Sequence, residues 1–269
     1  MKKLLIASLI IVLLISLLSC GKILQPQPKP SKASEKTVII KGKDLKGLEL
    51  TAFDEQGRKQ KFQIKDVELD PKDPDKEIYL YTVFYQDQTD FQWKNLCQPD
   101  VNKVAKAISL SGSWDETGKH IESTDIFTFG CTNGALAKCV RFGYKPWKSF
   151  QGKPLRDYHQ ACTRMVRADY CGNGKPHTKD GILIDVYDVL NIQEPTPSNK
   201  MVFEAAWQTD GATCINHPRL FDKLSEIRQE CPNKLTGRMN ENGSCETAKK
   251  AQQTWTSTLL FNDSLVRKP

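Results

Sequence analysis

The sequence predicts an α+β fold: antiparallel β-sheets with two or three short helices, stapled by disulfides. Three observations carry this. The first half alternates apolar and polar residues between turn-forming clusters. The middle switches to a helical period around residues 155–169. Eight cysteines follow the one at position 20, spread from Cys97 to Cys245.

The strands come first. LELTAF alternates, DEQG turns the chain, and KFQIKDVEL runs on. EIYLYTVFY is rich in aromatic and β-branched residues, which suit a half-buried pleated surface. FQW, AISLSGSW, the turn DETG and DIFTF extend the pattern into antiparallel hairpins. The acid-rich DVELDPKDPDKE between two hairpins lacks the D-x-D-x-D-G order of a calcium loop and carries two prolines, so it reads as a solvated turn.

A short helix follows, capped by Thr132 or Asn133, passing Cys139 and Phe142 and ending at Gly143. A second is better marked. Leu155, Tyr158, Cys162, Met165 and Asp169 form one stripe, and Gly172 and Gly174 are expected to stop it. TKDGILIDVYDVLNI returns to a strand, and MVFEAAW and ATCI flank the turn QTDG as a hairpin. RLFDKLSEIRQEC reads as a helix stopped by Pro232, and TWTSTLLF as one more strand.

The N-terminus gives location. Lys2 and Lys3 precede an apolar run, Leu4–Leu18. At about 15 residues it falls short of the roughly 20 that cross a bilayer, which fits a secretory leader. Leu17-Leu18-Ser19-Cys20 resembles the lipobox of bacterial lipoproteins, which implies cleavage before Cys20 and lipidation of its thiol. The expected organisation is a signal peptide over 1–19, the lipidated cysteine and a Pro- and Lys-rich tether over 20–36, a β-rich domain over 37–215, and a C-terminal helical appendage over 216–269. The expected location is the cell envelope, with attachment to the membrane through lipid on Cys20. Gly21 in place of Asp leans towards the outer membrane of a Gram-negative cell. The chain carries +7, but the first 36 positions hold six of its 39 basic residues and one of its 32 acidic ones. The remainder is near neutral, so no basic stripe points to nucleic acid.

In an exported chain, the even set Cys97, Cys131, Cys139, Cys162, Cys171, Cys214, Cys231 and Cys245 predicts up to four disulfides. No close Cys pair of zinc-site type occurs, so neither metal nor cofactor is expected. By pattern, Cys139 and Cys162 lie on facing helical stripes and join the helices. Cys131 or Cys97 then reaches Cys171, and Cys231 pairs locally with Cys245.

Four stretches, GALAKCVRFGYKPW, YHQACTRMVRADYCGNGKPHT, DGILIDVYD and FEAAWQTDGATC, together resemble the ADYC domain family of bacterial secreted proteins and lipoproteins. Its tetrapeptide is Ala168-Asp169-Tyr170-Cys171 here. The resemblance implies counterparts of Cys97, Cys131, Cys139, Cys162, Cys171 and Cys214, with Cys231 and Cys245 an addition. It implies no chemistry.

Motifs for a serine nucleophile, a zinc protease or a phosphate loop are absent. The acid–base candidates are His159, Asp169 and His177. His159 borders the apolar helical stripe and reads first as a core histidine. Asp169 lies on that stripe and needs a partner: Arg141 or Arg164, a tyrosine hydroxyl, or amides of the Gly172–Gly174 turn. It reads first as a buttress. The expected function is a binding or structural module with an envelope protein or glycan as partner. The alternative is an envelope hydrolase using His159, Asp169 and His177.

Overall fold

The computed structural model describes residues 42–53, 58–198, 200–240 and 242–265. The leader, Cys20, the tether and the DEQG turn lie outside the described residues. Among the described residues, no helix is long and apolar enough to cross a membrane.

Two antiparallel sheets form the frame. The first contains β1 (Glu49–Phe53), β2 (Lys59–Leu69), β3 (Tyr79–Gln86), β4 (Trp93–Asn95), β5 (Ala107–Ser111) and β8 (Phe127–Cys131). Its order is β1-β2-β3-β5-β8, with β4 also paired to β3. A small ribbon of β6 (Ser113–Trp114) and β7 (His120–Ile121) projects between β5 and β8. The second sheet contains β11 (Ile184–Asp188), β12 (Met201–Gln208), β13 (Gly211–Ile215) and β14 (Leu260–Leu265), in the order β11-β14-β12-β13. A second ribbon, β9 (Ser149–Phe150) with β10 (Lys153–Pro154), precedes the main helix.

Helix α1 (Ala135–Arg141) covers one face of the first sheet, burying Ala137 and Val140 against Ile78, Leu80, Ile108 and Leu110. Helix α2 (Leu155–Arg167) covers one face of the second, with Tyr158, Ala161, Cys162 and Met165 against Ala205, Trp207, Ala212 and Leu260. The Cys139–Cys162 disulfide joins the two helices, as their facing stripes predict. Three shorter helices follow: α3 (Leu224–Glu230), α4 (Pro232–Leu235) and α5 (Ala248–Thr254).

The other staples correct the expected pairing. Cys97 bonds Cys131 within the first sheet, Cys171 bonds Cys231, and Cys214 bonds Cys245. Cys97 and Cys131 cannot serve Cys171, because they belong to the face of the first sheet turned away from α1. Cys231 and Cys245 cannot meet either. They join apolar clusters on opposite faces of the second sheet, Cys231 with α2 and Cys245 with α5.

Local endings also differ. Gly134, not Thr132 or Asn133, occupies the N-cap of α1, with no side-chain cap. Ala168, in the left-handed conformation at φ 51°, ends α2 four residues before Gly172. Pro232 does not merely stop α3; it starts α4, where its missing N–H costs nothing. The C-terminal stretch contributes a strand to the second sheet. Its strand β14 hydrogen-bonds β11 on one side and β12 on the other.

The acidic turn is neutralised by its own backbone amides and by two basic residues at and just beyond the end of α1. Asp73 accepts from the Glu77 and Ile78 amides, both at 2.8 Å. The buried Lys145 ammonium contacts Asp73 and Asp75 at 2.7 Å and Glu77 at 2.6 Å. Arg141 holds Asp70 at 2.7 Å and Asp100 at 3.2 Å. A lysine therefore stands where a calcium loop would hold its ion.

Peptide mapping under non-reducing conditions should recover 97–131, 139–162, 171–231 and 214–245. A 231–245 peptide pair would contradict this frame.

Candidate functional site

The tetrapeptide at the end of α2 assembles a buried polar hub. Ala168 is fully buried and turns the chain, so a small side chain is required there. Asp169 follows. Its Oδ1 accepts from the Asn173 amide at 3.1 Å, and its Oδ2 from the Gly174 amide at 2.9 Å and Arg164 Nη1 at 2.6 Å. Arg164 also donates to the carbonyls of Thr117 and Thr209, tying the β6–β7 ribbon and the β12–β13 turn to the same point. Of the expected partners, Arg164 and the glycine-turn amides serve Asp169. Arg141 is engaged by Asp70 and Asp100.

Tyr170 stacks on Trp207 with centroids 5.1 Å apart. Its hydroxyl donates to Glu204 Oε1 at 2.9 Å and accepts from the Arg219 amide at 2.8 Å. The Arg219 guanidinium grips Glu204 through Nε and Nη2, both at 3.0 Å, and caps the end of α2 by donating to Met165 O at 2.8 Å and Val166 O at 3.0 Å. Cys171 completes the motif through its bond to α3's end. The next residue, Gly172, has φ +70°, and a Cβ there would overlap the Asp210 carbonyl oxygen. That close approach lets the Ala212 amide reach Tyr170 O at 2.9 Å.

Burial pushes the Glu204 carboxyl up, but the Arg219 charge and hydrogen bonds outweigh it and hold the group below the ordinary carboxylate value. Burial drives His159 down to about 4, so its ring is neutral at physiological pH. His159 Nε2 lies 3.0 Å from Leu136 O, and a carbonyl oxygen only accepts, so this nitrogen carries the hydrogen and links α2 to α1. His177 packs beneath Ala168, with Nδ1 3.2 Å from its carbonyl. His159, Asp169 and His177 are 2, 0 and 1 % exposed. The structure gives each separate partners and does not assemble them in an open cleft.

A cavity of about 890 Å³ lies elsewhere, on the face of the first sheet turned away from α1. Leu50 and Phe53 of β1, Phe62 of β2, and Ile126, Phe127 and Phe129 at the start of β8 line it, with Arg58, Gln60, Asp87 and Asp125 among its polar neighbours. Phe53, Ile126 and Phe127 are 71, 54 and 49 % exposed. The sequence shows these residues only as strand alternation. Which apolar face lacks a covering helix depends on where α1 packs.

Fold and hub together define a disulfide-stapled α+β domain built around a helix end that is satisfied by its own tetrapeptide. The ADYC domain profile matches residues 42–221, and the chain belongs to the ADYC domain family. No curated protein and no solved structure matches the chain.

Two outcomes follow for the hub. Asp169→Asn leaves the Arg164 charge buried without its counter-ion and should cost about 3–5 kcal/mol in urea unfolding. For His159, the folded value lies below the unfolded 6.5. Its contribution is thus complete above pH 6.5 and is lost as pH falls towards 4, on the order of 3 kcal/mol. Glu204 adds a loss at lower pH, as the pH falls through its folded value. His159→Gln should flatten the upper part of this curve. An unchanged slope between pH 6.5 and 4 would exclude His159 as its source.

Proposed function

We propose that this chain is a binding module of the bacterial cell envelope, held at the membrane by lipid on Cys20, with the phenylalanine-lined cavity of the first sheet as its ligand site. The cavity carries the reading. Its volume falls in the range of small-molecule sites, and an apolar lining with few polar groups is what such sites share. Exposed phenylalanines cost solvation in the free protein, and a ligand with an apolar or aromatic part removes that cost. An amphiphile fits this lining better than a glycan does. Four disulfides support an oxidising, extracytoplasmic compartment.

The hydrolase alternative has less support. A general base must reach a substrate proton, and His159, Asp169 and His177 are buried and committed to structural partners.

Titration with an environment-sensitive naphthylamine dye should show saturable binding. Asp replacement of both Phe53 and Phe127 should weaken it about tenfold or more, at little cost to stability because both residues are exposed. Equal binding by the double variant, or none by the parent, would sink the assignment. For the anchor, palmitate labelling and membrane fractionation should both be lost in Cys20→Ser. Failure of the parent chain to label would remove the lipoprotein reading.

A further inference from the structure

The loop after the ADYC turn meets α3 at a point where two buried acceptors face each other. The His177 amide donates to Arg167 O at 3.1 Å, which fixes the residue under the end of α2. Its ring Nδ1 faces the Ala168 carbonyl at 3.2 Å and must carry the hydrogen. In the neutral ring, Nε2 is then a lone pair. It points at Glu230, 3.2 Å from Oε2. Both atoms are sealed from water, and neither makes a hydrogen bond. With neither a proton nor a metal ion between them, two acceptors in contact are doubly unfavourable, since each has lost its water and each repels the other. A positive centre between them would reverse both effects.

Glu226 lies one helical turn before Glu230 on α3. One ligand atom from each of His177, Glu226 and Glu230 can be chosen so that all lie within 4.8 Å of one another. Cations already gather here. The Lys175 ammonium bridges Glu230 and Glu226, at 2.9 Å from the latter, and Lys223 reaches Glu226 at 2.6 Å. Lys175 does not reach the imidazole side of the gap, which leaves His177 Nε2 unserved.

We propose that His177, Glu226 and Glu230 bind a divalent transition-metal cation of the zinc class, which displaces the Lys175 ammonium. One imidazole and two carboxylates match zinc's nitrogen and oxygen preference and leave a coordination position for water. Calcium and magnesium prefer all-oxygen shells with more ligands. Thiolate is not on offer, since Cys171 and Cys231 are bonded to each other. That disulfide fastens the end of α3 to the ADYC turn and so holds the two halves of the ligand set together. The Lys175 side chain is about half exposed, so the route from solvent is through the residue that must move.

The test is calorimetric titration of the full chain with Zn²⁺ in chelator-free buffer. The parent chain should take up one equivalent. His177→Gln and Glu230→Gln should each weaken this by about tenfold or more. Lys175→Met removes an exposed competing charge and should tighten binding several-fold. A Zn²⁺-dependent rise in unfolding temperature should follow the same order. No one-to-one binding by the parent or Lys175→Met would overturn the site. So would full affinity in a folded His177→Gln, or Lys175→Met binding no tighter than the parent.

Discussion

The Glu204–Arg219 ion pair is the constraint around which the second half of the molecule is arranged. Glu204 sits in the middle of an otherwise apolar strand, fully buried, and a carboxylate there is tolerable only with a positive partner and a full set of donors. Arg219 supplies the charge and two of the donors, Tyr170 supplies another, and the remaining guanidinium N–H groups go to Thr178 Oγ1 and to the Met165 and Val166 carbonyls at the end of α2. The negative end of the helix dipole and the negative carboxylate thus share one guanidinium. Tyr170 is drawn into the same network by its hydroxyl and is locked between Trp207 and the pair. Strand, helix end and tetrapeptide each satisfy a need in one of the others.

The same economy recurs at Asp169. Its carboxylate closes the turn through two amides and neutralises Arg164, whose other donors reach a loop of the first-sheet ribbon and the β12–β13 turn. The four letters of the motif therefore have four different jobs. Ala168 supplies a left-handed turn in a space with no room for a larger group, Asp169 a charged clasp, Tyr170 an aromatic prop with a polar tip, and Cys171 a covalent tie. None of these needs a substrate to explain it.

Much of the frame was legible in sequence because it depends on local period. The alternation of LELTAF, EIYLYTVFY and MVFEAAW gave strands, and the stripe from Leu155 to Met165 gave α2. Contacts distant in sequence were harder. The Cys139–Cys162 bond could be read because both residues lie on predicted helical faces. The remaining three disulfides depend on which face of which sheet each cysteine joins, and periodicity does not encode that. Proximity along the chain misled at Cys231 and Cys245. Asp169 was visible as a polar residue on an apolar stripe, and Arg164 stood among its possible partners. Glu204 gave a similar signal within MVFEAAW, but its partner is 15 residues away around a hairpin. The cavity was hidden for a different reason. Phe53 and Phe127 look like core residues until the packing of α1 shows that, among the described residues, no helix covers them.

The position of β14 has a consequence for the order of assembly. A chain made from its N-terminus can pair β1 through β8 and lay down α1 while later residues are still emerging, since each of these strands has neighbours close behind it. The second sheet cannot be completed in this way. β12 can pair with β13 at once, but β11 joins the sheet only through Leu260–Leu265, the last of its four strands in chain order. Until that strand is delivered, β11 and one side of β12 present open edges, at which chains most readily aggregate or mispair. The first sheet is a candidate for vectorial folding, while the second must wait. Cys171 and Cys214 must wait with it, since their partners, Cys231 and Cys245, lie near the late end of the chain.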